Sequence, residues 1–217
     1  MNIRFRCSDV AAHPSRFVRE GATIKWRRRG QLFSLLRGFY QTKWELGALI
    51  DATMDLFVRI SIHRMIDHHL PKIRQCMDAL NAQQLWEHEV NQANSVGGIL
   101  LHVCEQVDRH TAEYQQAGNV SMGGIEDYFP DLGMSSKELL EKVEKTFSVW
   151  QRTIQEFLAD TSKEVDIHRI YHLIEHTSYH LGQVVDRIQT KTGIAFQFAQ
   201  HGLNERNLRA VIERDTR

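Results

Sequence analysis

The chain has 217 residues, 42% of them hydrophobic and 25% charged, with 27 lysines and arginines against 27 aspartates and glutamates. That length fits one domain or a domain with an appendage, and the composition excludes collagen-like, mucin-like and globally disordered classes. Balanced charge argues against a surface that wraps nucleic acid, because neutralising phosphates takes a basic excess on the binding face.

The charge is unevenly divided along the chain. Residues 1–53 carry ten basic and four acidic side chains, a net of +6, which leaves −6 on residues 54–217. Arg27, Arg28 and Arg29 precede Leu32, Leu35, Leu36, Phe39 and Tyr40 at helical spacing, a basic amphipathic pattern. We read 1–53 as a basic N-terminal extension with three interpretations open: a targeting or surface-binding arm, a helix packed on the main domain, or a translated stretch ahead of a start at Met54. Cys7, Cys76 and Cys104 form no CxxC pair, and no signal-peptide core or run of roughly 18 apolar residues is present. These features predict a cytoplasmic protein without a membrane span.

From Met54 the pattern predicts an all-α domain, with few prolines and no period-two strand. A first helix is expected over 54–80, bent at Pro71. A second starts after Asn94 or Ser95 and runs to about Gln115 on the stripe Val96, Leu100, Val103 and Val107. The segment 118–133 is too irregular for a helix, and its Tyr128, Phe129 and Asp131 are candidates for the rim of a site. Ser135 and Glu138 form a capping box ahead of Leu139, Leu140, Val143, Phe147 and Trp150, predicting a third helix to Leu158. A fourth is expected from near Ser162 or Lys163 to a stop at Gly193, with Ile167, Ile170, Tyr171, Ile174, Leu181, Val185 and Ile188 inward. A short charged helix closes the tail. Four long amphipathic helices imply a four-helix bundle.

Histidine is the one compositional oddity, with 12 in the chain. His168, His172, His176 and His180 recur every four residues, one turn apart, so a neighbouring pair can hold one ion but the whole run, about 18 Å long, cannot. A third ligand must come from another helix. His102 is the first candidate, with His63, His68, His69 and Asp67 in reserve. On a helical wheel His176 and His180 lie roughly 120 to 160° from their apolar stripe, and His102 about as far from its own, so none is expected in the main core. Two readings follow: solvent-facing histidines, or second faces turned toward a shared, water-accessible cleft.

The segment 94–104, NSVGGILLHVC, and the segment 173–184, LIEHTSYHLGQV, resemble the paired histidine motifs of the DinB-like superfamily. LPKIRQC at 70–76, the Leu85-Trp86 pair and TGIAFQF at 192–198 add to the resemblance, which spans most of residues 54–200. Members are four-helix bundles that bind a divalent metal through one histidine of the second helix and an HxxxH pair of the last. Carried over residue by residue, these are His102, His176 and His180. The resemblance further implies a metal-dependent transferase or isomerase acting on a low-molecular-weight thiol such as bacillithiol, mycothiol or glutathione, with a small-molecule substrate and a homodimeric state. Imidazole ligands suit zinc, nickel, iron or copper, of which we take zinc or nickel as the expected metal.

Three imidazoles leave coordination positions open, as in catalytic zinc sites, and a thiol or water bound there would be acidified into a nucleophile. Glu175 and Gln183 flank the pair and are candidates for orienting an imidazole, each weighed against a plain surface role. Cys76 and Cys104 read as buried, inert thiols. No Ser-His-Asp arrangement, P-loop, GxGxxG or HExxH occurs, and no general acid or base is assigned. The alternative from another class is a non-catalytic helical bundle acting through association, with incidental histidines.

Overall fold

The computed structural model describes residues 49–88, 94–115, 124–160 and 165–215. The expected basic extension lies outside them up to residue 48, and its last residues, 49–53, are helical. Among the described residues the protein is all-α, without a strand.

Helix α1 (residues 49–63) passes into a π-helical turn, Arg64–His69, and then into α2, Leu70–Asp78. The helical backbone is unbroken where a bend was expected. A proline at position 71 has no amide to donate, and its ring would meet the carbonyl four residues back in a regular α-helix. The wider turn just ahead of it accommodates the proline, with the Leu70 amide reaching back five residues to the Met65 carbonyl.

Helix α3, Ala82–Trp86, is one the hydrophobic pattern does not announce. Its start is set by a reciprocal cap: the Gln84 amide donates to Asn81 Oδ1 (2.9 Å) and the Asn81 amide to Gln84 Oε1 (3.1 Å). Helix α4, Val96–Tyr114, begins as predicted, with Ser95 Oγ accepting from the Gly98 amide at 2.9 Å. The predicted box at Ser135 and Glu138 opens α5, Ser136–Leu158.

Helix α6, Ile167–Thr192, starts later than the sequence suggested, because Asp166 accepts from the Arg169 amide and becomes the cap. Residues 161–164 lie outside the described residues. The helix stops at Gly193, whose left-handed φ of 72° favours a residue without Cβ. Tyr171 and Ile167, expected on the inward stripe, are 55% and 39% exposed, so the buried face begins in earnest at Ile170 and Leu173. Helix α7, Glu205–Asp215, closes the chain.

Helix α4 lies at the centre, packed against both α5 and α6, while α2 packs on α5 and α6. Met65, Ile73, Leu85, Val107, Leu139, Phe147, Trp150, Ile170 and Ile188 are fully enclosed between these helices. Each such side chain contributes about 1.5 to 3 kcal/mol on leaving water, so this shared interior holds the helices in register. No helix among the described residues is long and apolar enough to cross a membrane.

Candidate metal centre

Helix α4 brings His102 to the interior seven residues after its cap, and α6 presents His176 and His180 one turn apart on the facing surface. Their Nε2 atoms converge. His102 Nε2 lies 3.1 Å and His180 Nε2 3.2 Å from His176 Nε2. Imidazole nitrogens bound to one ion at about 2.0 to 2.1 Å stand roughly 3.0 to 3.4 Å apart, so these separations match a common centre. The three form the one cluster of potential ligand groups of this kind among the described residues.

The expectation that these histidines avoid the core is corrected for two of them: His102 is 2% exposed and His180 6%, and only His176 keeps partial access. His180 is covered on α6 by His102 and Phe129, at ring-centroid distances of 4.6 and 6.0 Å. For His102 the reason is that α4 has no solvent face at its start. Every residue from Val96 to Cys104 is buried, because α5 and α6 clasp two sides and Phe129 lies over a third. A wheel measures angle from one stripe and loses meaning for a helix enclosed all round.

Tautomers follow from the partners. His102 Nδ1 is 3.2 Å from the Tyr128 carbonyl oxygen, and His180 Nδ1 is 2.8 Å from Gln183 Oε1. Both oxygens only accept, so both Nδ1 atoms carry the proton and both Nε2 atoms present a lone pair inward. His176 cannot satisfy the group by itself, since one N–H would face two acceptors. A cation on the three lone pairs does. The His176 Nδ1 is buried without a partner in either case.

Burial is the main force on all three rings. It pushes His102 and His180 below the ordinary imidazole range, and takes His176, with its neighbouring imidazoles adding repulsion, down to about 4. At neutral pH the three are therefore uncharged, the form that binds metals.

No protein-family model, curated protein or solved structure matches this chain. The functional reading accordingly rests on these side chains and their surroundings.

The reserve ligands are engaged elsewhere. His63 lies 2.7 Å from Asp67 and 3.3 Å from Asp215, His68 bonds Lys72, and His69 bonds Ser178. Glu175 is exposed and takes no part in the cluster, while Gln183 does orient an imidazole. Cys76 and Cys104 are buried, and desolvation pushes both thiols up to about 12, so they stay protonated.

The irregular segment supplies more than a rim. Phe129 stacks on His102 with ring centroids 4.3 Å apart and planes 13° from parallel. Asp131 accepts from Ser95 Oγ at 2.6 Å and also bonds His88. The Tyr128 contact is a backbone one, which no side-chain motif can announce.

Proposed function

We propose that His102, His176 and His180 hold a divalent transition metal, zinc or nickel, in a DinB-like four-helix bundle, and that the protein is a metal-dependent transferase acting on a small thiol. The observation that carries this reading is the convergence of three Nε2 lone pairs, two of them fixed by acceptors on the opposite ring nitrogen. The continuous α1 and α2, with α4, α5 and α6, supply four long helical units, and the ligands fall on the second and the last, as the resemblance implies.

When bound, such a cation lowers the pKa of a coordinated thiol or water and supplies a nucleophile near neutral pH. The chain's own residues hold and orient. Tyr128 and Gln183 keep His102 and His180 in the tautomer that offers Nε2, and Phe129 covers one face of His102 against water. Three protein ligands are one fewer than a closed tetrahedral site takes, which leaves room for substrate.

Tyr171 and Tyr179 on α6, 55% and 64% exposed, support the second reading, association with another copy through this helix without catalysis. Elemental analysis of the untagged full chain separates the two. About one equivalent of metal in the wild type, none in a His102→Ala/His176→Ala/His180→Ala variant, and thiol transfer lost with the metal is the expected result. A wild-type chain that stays metal-free after reconstitution overturns the enzyme reading and leaves association.

A further inference from the structure

Two of the four histidines spaced along α6, His168 and His172, take no part in the three-histidine centre. Both are exposed, and neither makes a hydrogen bond or an ion pair among the described residues. They stand one turn apart, about 6 Å of rise, which is the relation that lets His176 and His180 share an ion. Both line one cleft of about 370 Å³ between α4 and α6. At its inner end the cleft reaches the centre, because the His172 ring centroid lies 5.8 Å from that of His176.

The centre has little access of its own. His102 and His180 are 2% and 6% exposed, so an ion comes to it by way of His176, the ring of the three that keeps partial access. A buried metal site needs an entry path, and the ion must exchange its hydration water for protein donors along that path. Two free imidazoles on the solvent side of His176 are donors of the right kind.

Nor do the charges of the cleft repel a cation. Its two arginines are offset by partners: Arg169 pairs with Glu113 and Asp166, and Arg109 with Glu105. Glu126, exposed in the same lining, makes no ion pair among the described residues and adds a negative charge there.

We propose that His168 and His172 form a second metal site, a weak two-histidine pair that captures the divalent transition metal from solution and passes it one turn along α6 to His176 and the buried centre. Two imidazoles hold an ion less tightly than three, so the ion moves inward. The destination rests on the metal-dependent reading; the capture site rests on the exposed pair and the cleft.

The test uses the full chain, stripped of metal by chelation and mixed with nickel in stopped flow against a chromophoric chelator. The His168→Gln/His172→Gln variant should fill the tight site about tenfold more slowly than wild type. Its equilibrium affinity for that tight nickel should be unchanged, so release slows by the same factor, because Kd is the ratio of the two rates. A purely structural role for either ring would move Kd instead. His168→Gln alone, two turns from His176, should also slow uptake, which keeps the result clear of the ring contact between His172 and His176. At equilibrium the wild type should show a second, weak equivalent of nickel that the double variant lacks. Uptake by the double variant at the wild-type rate overturns the proposal and leaves the exposed pair an adventitious site only. A wild-type chain that takes up no tight nickel overturns the metal reading and the delivery role with it, so the equilibrium measurement reports on the first and the rates on the second.

Discussion

Phe129 lies flat against His102, 4.3 Å between ring centroids, while the residue before it, Tyr128, accepts the proton of the same imidazole through its carbonyl. One short segment therefore both aims and covers a candidate ligand. The segment is tied in turn to the start of the helix that carries His102, because Asp131 accepts from Ser95, the cap of α4. Replacing Phe129 with Ala removes the cover but leaves the carbonyl contact. The expected outcome is a metal affinity lower by about tenfold in competition with a chromophoric chelator. An affinity equal to wild type, with only urea stability reduced, would assign the ring a packing role alone.

Gln183 offers a sharper case, since its amide oxygen is the one partner fixing the His180 tautomer. In Gln183→Ala the ring is free to protonate on Nε2, the nitrogen that faces the centre. Metal affinity should drop by about 10- to 100-fold, and Gln183→Glu, which keeps an acceptor in place, should restore most of it. Failure of the glutamate to rescue would show that orientation is not what Gln183 provides.

Much of this arrangement is legible in residue order. The caps at Ser95 and Ser135, the stop at Gly193 and the 3.6-residue stripes are local, so the helices they bound follow from short-range chemistry. The i, i+4 spacing places His176 and His180 on one face for the same reason. What spacing does not carry is the burial of His102, which depends on α5, α6 and Phe129 meeting around α4 from distant parts of the chain. The start of α6 at Ile167 rests on the Asp166 cap, which the apolar stripe does not mark, and the π turn before Pro71 has no periodic signature. Nor does sequence show that Trp150 fixes the tautomer of His110, a contact across 40 residues.

That contact has a pH signature. Burial, the largest cause, holds His110 down to about 4, against an ordinary 6.5. Its folded-state value is depressed, and as a base it binds its proton more readily in the unfolded chain. Stability from keeping it neutral is therefore full above pH 6.5 and is lost as pH falls from there through 4, about 3 kcal/mol in all. His69, held down to about 3, adds in the same direction. His110→Gln retains an acceptor for Trp150 and should show a shallower rise of urea stability between pH 4 and 6.5 than wild type. Parallel curves would mean that His110 contributes nothing to acid sensitivity.

Gly97 tests how tightly α3 is laid on α4. A Cβ there would come within 2.5 Å of the Trp86 ring, and the ring cannot swing aside without breaking its 2.7 Å hydrogen bond from Nε1 to the Met134 carbonyl. Alanine is the better helix former by about 1 kcal/mol, so the two effects oppose each other. At Gly97 the clash should win, and Gly97→Ala should cost about 1 to 3 kcal/mol. Gly182 on α6 is the control, since nothing lies within 4 Å of its missing Cβ, and Gly182→Ala should stabilise by up to about 1 kcal/mol. Thermal unfolding of the two variants should move in opposite directions. A gain at Gly97 would place the Trp86 ring off the first turn of α4 in solution.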